Sequence, residues 1–409
     1  MLGNVMVGQS GGPTAVINAS VAGVYAGARE AGATRIYGML NGVEGLKNGR
    51  FVDLGGLLAS DVELEILKRT PASALGTCRY KLGDVSENEA DYLSIFEHLR
   101  KLDVRSFFYV GGNDSMDSLT KIGAYAAARG VDLRVMGVPK TIDNDLPVTD
   151  HTPGFGSAAK YVATALKELI ADVTAYNQKS VLIVEIMGRN AGWLAAAAAL
   201  AAGEDCRGAD MILPPEVPLC EEHFVKRAKE IISAQKTLVI AVSEGVKDVN
   251  GEYLSTKSSG NTERDAFGHV MLSGAGQYLA NLLRRELGAK RVRTVELSSV
   301  QRCASHISSR VDVEEAFAVG AHAVRAMAKG ESGKMITIDR LTDNPYSIAM
   351  GTCAADKIAN HEKTLPDEWI DKANYGILAP YLTYARPLIQ GEMPPLMVNG
   401  LPRHFIVKK

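Results

Sequence analysis

The stretch NVMVGQSGGPT, residues 4–14, decides the class of fold to which the chain belongs. Apolar residues at 4–7 predict a short buried strand, and residues 15–30 have the helical spacing of an α-helix. The glycines between them permit a tight turn in which backbone N–H groups approach a ligand, and a helix N-terminus favours an anion. The loop matches neither GxGxxG nor the GxxxxGK(S/T) P-loop. Alone, it therefore leaves a phosphate site and a purely structural turn equally open.

Short β-rich runs recur along the chain, and helical stretches lie between them. Most of the runs are predominantly apolar, which is typical of buried strands. Alternation of strand and helix predicts an α/β fold with parallel-rich sheets. The predicted strands are residues 4–7, 35–40, 106–110, 134–138, 181–186, 209–213, 237–242 and 293–297.

With 409 residues, the chain is too long for one ordinary hydrophobic core, so two lobes are expected. The distribution of the runs predicts a first Rossmann-like α/β lobe at residues 1–152 and a second at 153–299. Part of 300–330 is expected to return to the first lobe, whereas the extension 331–409 has weak periodicity and no predicted place. The apolar run 193–202 is too short to span a bilayer and predicts a buried helix.

Composition and charge exclude several classes of function. The formal net charge of −2 gives no footprint for nucleic acid and no attraction to an anionic membrane, so neither partner is expected. The five cysteines are scattered without a CxxC pair, which fits a reducing cytoplasm and argues against a zinc or redox site. Residues 1–18 lack the features of a signal peptide. The isolated His151 and His306 are predicted to be structural hydrogen-bonding groups rather than ligands.

Two further loops follow predicted strands, namely YVGGNDSMD at 109–117 and GVPKTIDND at 137–145. Because the carboxyl ends of parallel strands form the ligand crevice, two glycine loops there favour a phosphorylated ligand over independent turns. The second loop adds the cation of Lys140, a hydroxyl and two alternately spaced carboxylates. Phosphoryl transfer needs an oriented hydroxyl, a proton acceptor, a cation and usually Mg²⁺. One aspartate is suited to accept the proton of the hydroxyl, and the other is suited to bind the metal. Asx residues are, however, also ordinary in turns.

These segments resemble the phosphofructokinase family, together with MGRNAGW at 187–193, SEG at 243–245 and QR at 301–302. The resemblance covers about residues 1–325 in the family's order. It implies two Rossmann-like lobes with the active site in the cleft between them, the first lobe binding the phosphoryl donor and the second the sugar phosphate. The implied reaction is Mg²⁺-dependent transfer to the 1-hydroxyl of fructose 6-phosphate, which gives fructose 1,6-bisphosphate.

The resemblance also implies roles for individual residues. Asp143 would take the proton from the sugar 1-hydroxyl, with Thr141 and Arg189 near the transferred group and Lys140 beside the leaving phosphate. Asn113 and Asp145 would meet Mg²⁺, although Asn113 stands where the family usually has an aspartate, so that contact is expected to be weaker or water-mediated. The expected donor contacts are Gly11, Gly12, Arg79, Gly112, Asp114 and Ser115. The expected sugar-phosphate contacts are Thr141, Ile142, Asp143, Met187, Gly188, Arg189, Glu244, Arg293 and Arg302.

Asp114 and Lys140 favour pyrophosphate over ATP as the donor. Many ATP-using relatives carry glycine at both positions, and an aspartate at 114 fills the nucleotide's space and sets an anion against phosphate oxygens. Lys140 places an ammonium against the leaving phosphate. The pair resembles the pyrophosphate-dependent branch, whose reversible reaction releases phosphate and serves glycolysis and gluconeogenesis. The alternative is an ATP-dependent enzyme in which the two residues merely form an ion pair.

Two expectations concern other chains. The family's 6-phosphate site, with Arg293 and Arg302, is often completed by a neighbouring subunit, which implies a homodimer or homotetramer. A second alternative is a non-catalytic regulatory subunit that binds sugar phosphate beside an active partner. The retained Asp143 argues against that alternative, because a chain that only binds has no need of a base.

Overall fold

The computed structural model of the chain describes residues 2–259 and 272–407. Its strands are, in chain order, β1 (Asn4–Gln9), β2 (Ile36–Met39), β3 (Phe51–Asp53), β4 (Val104–Gly111), β5 (Arg134–Pro139), β6 (Ser180–Ile186), β7 (Met211–Leu213), β8 (Thr237–Ser243), β9 (Val292–Glu296), β10 (Lys334–Asp343), β11 (Tyr346–Ala354), β12 (Ile370–Asp371), β13 (Gly376–Ile377), β14 (Met397–Val398) and β15 (Leu401–Pro402).

The helices alternate with these strands over most of the chain. They are α1 (Ile17–Glu30), α2 (Gly42–Lys47), α3 (Leu54–Leu57), α4 (Asp61–Arg69), α5 (Val85–Lys101), α6 (Asn113–Ala128), α7 (Phe155–Thr174), α8 (Trp193–Ala196), α9 (Glu221–Ala234), α10 (Leu254–Ser259), α11 (Ala275–Leu287), α12 (Val300–Cys303), α13 (Arg310–Ala328) and α14 (Ala379–Ala385). Short 3-10 turns lie at Ala197–Ala201, Ser305–Ile307, Ala355–Lys357, Asp367–Trp369 and Pro387–Ile389.

The first sheet has seven strands in the order β11-β10-β5-β4-β1-β2-β3. Strands β10, β5, β4, β1 and β2 are parallel, and the outer β11 and β3 are antiparallel. Successive residues of β4 face opposite sides, so that Phe107 packs with α5 and α6 whereas Phe108 packs with α1 and α13. Both faces of this sheet are thus covered by helices. The loops at the carboxyl ends of its parallel strands are left to form a binding site.

The second sheet is parallel throughout, in the order β7-β8-β6-β9. Every residue of β6 and β8 is buried, which explains why both read as continuous apolar runs without alternation. Helices α7, α9 and α11 contribute to the core around it. Within the described ranges, no helix is both long enough and apolar enough to cross a bilayer.

The predicted α/β fold and its strands are confirmed, with strand ends shifted by one or two residues. The prediction of one helix over 193–202 is wrong in detail. Helix α8 ends at Ala196, and the next five residues tighten into a buried 3-10 turn, as often happens at helix ends.

The segment after α13 contacts both lobes. Strands β10 and β11 widen the first sheet, whereas Leu365, Tyr381 and Leu388 are buried in the core around the second. Helix α13 packs so closely on α1 that a Cβ at Gly23 would lie only 1.9 Å from the carbonyl oxygen of Phe317. The chain therefore crosses between the lobes more than once, and these crossings hold the cleft walls together.

Candidate active site

A cleft lies where the carboxyl-terminal loops of the two sheets meet. Most of the predicted site residues line it, namely Gly11, Gly12, Arg79, Gly112, Asn113, Asp114, Ser115, Lys140, Thr141, Ile142, Asp143, Asp145, Met187, Arg189, Glu244 and Arg302. The cleft wall also contains residues that sequence reasoning missed, namely Ser10, Pro13, Thr14, Asn190, Ala191 and Glu362. Four loops from the first lobe and two from the second therefore converge on one space.

The first glycine loop is fixed by the segment that carries Arg79. Thr77 Oγ1 donates to the carbonyl oxygen of Gly11 at 2.6 Å, and the Gly11 N–H donates to the carbonyl oxygen of Cys78 at 3.4 Å. Gly11 has a φ of 75°, a left-handed conformation that glycine adopts without steric cost. These contacts bring the glycine loop and Arg79 to the same wall of the cleft.

Lys140 reaches across to this loop. Its side chain is almost fully buried, and Nζ donates to the carbonyl oxygen of Gly12 at 2.9 Å. Burial lowers the pKa of Lys140 to about 8, although the nearby Asp143 and Asp145 oppose that shift. Among the described residues, Lys140 makes no ion pair with Asp114, which lies in the first turn of α6. The ammonium is thus directed at the space beside the glycine loop.

Asp143 is held by its neighbour Thr141. Thr141 Oγ1 donates to Asp143 Oδ2 at 3.1 Å and accepts from the Asp143 N–H at 3.1 Å. Burial raises the pKa of Asp143, while the Thr141 hydrogen bond and the charges of Lys140 and Arg189 oppose the rise. This carboxylate is therefore oriented and is a stronger proton acceptor than an ordinary aspartate.

Asp145 lies two residues on, in the same wall. Burial first, and then the charge of Asp143, raise the pKa of Asp145 to about 7. Between the two aspartates, Asn144 is fully buried with a φ of 55°, and its Nδ2 donates to Tyr384 Oη at 2.7 Å. The intervening residue thus turns inward while both carboxylates face the cleft.

The second-lobe wall is built from two interlocked loops. A Cβ at Gly245 would lie 1.9 Å from the carbonyl oxygen of Arg189, so only glycine allows this approach. The Gly188 N–H donates to Glu244 Oε1 at 3.5 Å, and Gly188 lies in this loop although it does not line the cleft. Burial, followed by the charge of Asp143, raises the pKa of Glu244 to about 7. Arg189 Nε is buried without a hydrogen-bond partner among the described residues, which leaves a donor for a ligand.

The two predicted 6-phosphate arginines lie in different places. Gln301 Oε1 accepts the Met187 N–H at 3.1 Å and so brings α12 to the cleft, where Arg302 lies close to Gly12. Arg293 instead lies near the start of β9, at the opposite end of the sheet, and forms an ion pair with Asp172. A single chain therefore does not bring Arg293 to its own cleft, and its predicted contact with the sugar 6-phosphate is not formed within one chain.

The extension after α13 supplies a wall residue that no motif signalled. Asn190 Nδ2 donates to both carboxylate oxygens of Glu362 at 3.0 Å, and Glu362 is among the charges that raise the pKa of Asp143 and Asp145. Glu362 lies in an irregular segment with neither a glycine loop nor a strand before it. The sequence contains no local signal that would have found it.

The oxygen donors fit Mg²⁺ better than a softer metal. Asp145 offers a carboxylate, and Asn113 Oδ1, which accepts the Asp114 N–H at 2.7 Å, keeps one lone pair. A divalent cation here would also relieve the repulsion between the crowded carboxylates of Asp143 and Asp145. In the part of the chain that the structure describes, no three His, Cys, Asp or Glu side chains are arranged to hold a metal by themselves. Magnesium fits such a site with substrate oxygens and water as its remaining ligands.

Comparisons with known proteins agree with this geometry. The family model described as "Phosphofructokinase" matches residues 4–327. The chain is 39% identical over 404 residues to a protein of Halomonas elongata and 40% identical over 409 residues to one of Xanthomonas campestris pv. campestris. These alignments cover 98% and 99% of this chain, and 95% and 96% of the relatives. Both relatives are named pyrophosphate–fructose 6-phosphate 1-phosphotransferase.

A solved structure is similar over almost the whole chain as well. The pyrophosphate-dependent phosphofructokinase of Marinobacter aquaeolei superposes with a TM-score of 0.86 at 35% identity. The superposition covers 99% of this chain and 97% of that one. The similarity therefore includes the extension after α13, which the family model leaves unmatched.

Proposed function

The chain belongs to the phosphofructokinase family, and on that premise we propose that it is a pyrophosphate-dependent 6-phosphofructokinase. It transfers a phosphoryl group from pyrophosphate to the 1-hydroxyl of fructose 6-phosphate and releases phosphate and fructose 1,6-bisphosphate. The reaction is reversible and serves both glycolysis and gluconeogenesis. One observation carries the proposal: the oriented Asp143 and the cation of Lys140 share a cleft with the glycine loop that Lys140 contacts.

Asp143 is the base in this proposal. Because Thr141 donates to Oδ2, the second carboxylate oxygen is left to accept the proton of the 1-hydroxyl, whose oxygen then attacks phosphorus. Arg189 Nε offers an unused donor for the transferred group. Met187 and Glu244 form the wall that holds the sugar, Gly188 supports that wall through its hydrogen bond to Glu244, and Arg302 meets a phosphate. These residues position the acceptor so that little chemistry remains for the protein.

Lys140 and Asp114 determine the donor. Lys140 binds the glycine loop rather than Asp114, so its ammonium can meet the departing phosphate, and the ion pair that the ATP-dependent alternative assumed is not formed. Asp114 remains as an anion beside Gly112 and Ser115, where a longer nucleotide would have to pass. This arrangement supports pyrophosphate over ATP.

Asp145 and Asn113 are the residues that would hold Mg²⁺. A bound Mg²⁺ would supply positive charge that offsets the negative charge on the phosphate oxygens. Asp143 and Lys140 then complete the site with a proton acceptor and a cation. The cytoplasm, where such sugar phosphates occur, is the proposed location, and no nucleic-acid or membrane partner is proposed.

A homodimer or homotetramer completes the site in this proposal, because Arg293 lies far from its own cleft. Mixing two inactive variants tests this idea. Neither Asp143→Asn nor Arg293→Ala should be active alone, whereas hybrids should regain activity where an intact Asp143 meets a neighbour's Arg293. Hybrids that stay inactive, or full activity of Arg293→Ala alone, would refute it.

The decisive experiment is the initial rate of fructose 6-phosphate phosphorylation by the purified chain with Mg²⁺ and either donor at matched concentration. Strong rates with pyrophosphate and little with ATP are expected. The reverse would keep the family and overturn the donor. No rate with either would leave the regulatory subunit that binds sugar phosphate, which binding calorimetry with fructose 6-phosphate would then test.

A further inference from the structure

A short strap, residues 362–365 of the extension, bridges the two walls of the cleft. On the first-lobe side, the Lys363 N–H donates to the carbonyl oxygen of Asp145 at 2.6 Å. On the second-lobe side, Trp193 Nε1 donates to the carbonyl oxygen of Lys363 at 2.9 Å. Glu216 Oε1 accepts the Leu365 N–H at 2.8 Å, and the same oxygen accepts the Gly192 N–H at 2.8 Å. The strap is thus bonded to the loop of Asp145 and to the loop that ends at Trp193.

The side chain of Lys363 makes a second connection between the same walls. Its Nζ donates to the carbonyl oxygens of Thr149 at 3.0 Å and Asp150 at 2.8 Å. It also lies 5.0 Å from the centroid of the Trp193 ring, within the range of a cation–π contact. Burial lowers the pKa of this lysine to about 8, so the ammonium is kept at some energetic cost.

The loop that Lys363 contacts has an unfavourable backbone conformation at two of its residues. Between β5 and α7, Asn144 and Val148 have φ values of 55° and 67°. A left-handed conformation is costly for a β-branched residue and persists only where the surroundings fix it. Some of the fixing contacts lie within the loop, where the Thr152 N–H donates to Asn144 Oδ1 at 3.0 Å. The others come from the extension, since Lys363 binds the loop's carbonyls and Tyr384 Oη accepts from Asn144 Nδ2. The position of Asp143 therefore depends in part on distant residues.

We propose that Lys363 is a positioning residue, which fixes the Asp143 carboxylate relative to Arg189 by tying their two loops together. The family model ends at residue 327, so this residue lies outside the matched region. The inference rests on the proposed phosphoryl transfer. Catalysis by orientation is sensitive to such ties, because a displacement of about 1 Å can cost roughly 10²-fold in rate.

Three variants of the full chain test the tie. Lys363→Met keeps the stem on Trp193 and removes the charge and donors, whereas Lys363→Gln keeps an N–H donor for the carbonyls. Lys372→Met is the matched control, because Lys372 lies in the same extension in an exposed ion pair with Asp367. We expect Lys363→Met to lower kcat by about tenfold to a hundredfold, with both KM values within about threefold of the parent. Lys363→Gln should lie between Lys363→Met and the parent.

A structural role alone would lower thermal stability without this split between kcat and KM. The inference is overturned if kcat of Lys363→Met matches that of Lys372→Met, if only KM changes, or if Lys363→Gln is no better than Lys363→Met. Should Lys363→Met fail to fold, Lys363→Gln compared with Lys372→Met decides by the same criteria.

A second measurement separates this inference from the proposed function. Hydrogen exchange of a peptide covering residues 141–152 should be faster in Lys363→Met than in Lys372→Met, whichever donor the parent uses. A parent that is inactive with pyrophosphate refutes the proposed function but leaves this comparison intact. An active parent with unchanged exchange and unchanged kcat in Lys363→Met refutes only the tie.

Discussion

Two buried charged clusters in this molecule differ in how well their charges are satisfied. In the cleft, burial lowers the pKa of Lys140 to about 8 and raises that of Glu244 to about 7. Both shifts favour the neutral form, and Arg189 Nε has no partner among the described residues. The cleft cluster, defined as Lys140, Asp143, Asp145, Arg189 and Glu244, thus holds its charges with too few partners to offset their burial.

The second cluster, which we call the His151 network, consists of Asp150, His151, Glu315, Arg340 and Tyr346, and its charged groups are paired. His151 Nδ1 contacts Asp150 Oδ2 at 2.7 Å, and His151 Nε2 contacts Glu315 Oε2 at 2.6 Å. Arg340 donates to Asp150 from Nε at 3.1 Å and from Nη2 at 3.0 Å. Tyr346 Oη donates to Glu315 Oε1 at 2.7 Å. Burial alone would lower the pKa of His151, but Glu315 and Asp150 raise it to about 9.

The difference distinguishes a cluster that is suited to catalysis from one that stabilises the fold. In the His151 network, the partners favour the charged form of His151, so this network stabilises the fold. Desolvation without enough partners makes the cleft cluster ready for an anionic ligand and a metal, which is the usual condition of a functional site. A variant in the cleft should therefore change turnover more than stability, and one in the network should do the reverse.

The largest effect is expected from Asp143→Asn. Loss of the base should lower kcat by about 10²- to 10⁴-fold, with a thermal midpoint equal to or above that of the parent, since a desolvated carboxylate is removed. Initial rates and thermal unfolding measure both. Asp205→Asn, in an exposed ion pair with Lys167, is the control and should change neither. Near-normal kcat in Asp143→Asn would remove this residue from the base role.

A matched pair of methionine substitutions tests the distinction between the two clusters directly. Arg340→Met should destabilise by about 1.5–3 kcal/mol, because it removes charged hydrogen bonds from the partly buried Asp150, and should leave kcat nearly intact if the protein folds. Lys140→Met should keep or raise the thermal midpoint and lower kcat with pyrophosphate by about 10²-fold. Equal losses of stability in both variants would contradict the distinction between the two clusters.

The next prediction concerns the preference for pyrophosphate over ATP, which we assign to Asp114 and Lys140. Replacing Asp114→Gly together with Lys140→Gly removes the anion and the cation that disfavour a nucleotide. The ratio of kcat/KM for ATP to that for pyrophosphate should rise by about tenfold or more, the effect of one charged hydrogen bond of roughly 1.5 kcal/mol. Parallel assays with both donors measure the ratio. An unchanged ratio would mean that these two positions do not select the donor.

The smallest effect concerns pH and the His151 network. Because the folded pKa of about 9 exceeds the ordinary 6.5, protonated His151 stabilises the fold fully below about pH 6.5. That contribution is lost as pH rises through about 9. The difference in thermal midpoint between the parent and His151→Gln should therefore narrow over this range, by about 2–4 °C for each kcal/mol lost. A constant difference would show that His151 is not charged in the fold.

The sequence alone predicted the parts that depend on local pattern. Continuous apolar runs identified the buried strands, and glycine after a strand identified the loops at their carboxyl ends. Loops at the carboxyl ends of the strands converge, which placed the loops around residues 11–12, 111–115 and 140–145 together. Arg79, Met187, Arg189, Glu244 and Arg302 were assigned to the same cleft through the family resemblance. The isolated His151 was also predicted correctly to be a structural hydrogen-bonding group.

Other features could not be predicted from the sequence because they depend on contacts between distant segments. After β11, the extension has only short, irregular elements, so nothing local indicated that it would bring Glu362 to the cleft. The same absence of a signal hid the bonds from Lys363 to the loop of Asp145.

What the sequence determined, then, is the α/β fold, the loops and the kinds of groups that face the ligand, because side-chain chemistry and periodicity are local properties. Only the tertiary structure decided that Lys140 contacts Gly12 rather than Asp114, that Arg293 lies at the opposite end of its sheet, and that a strap from the extension joins the two walls. Each of these depends on where separate elements pack, and packing is fixed by the whole core rather than by any one segment.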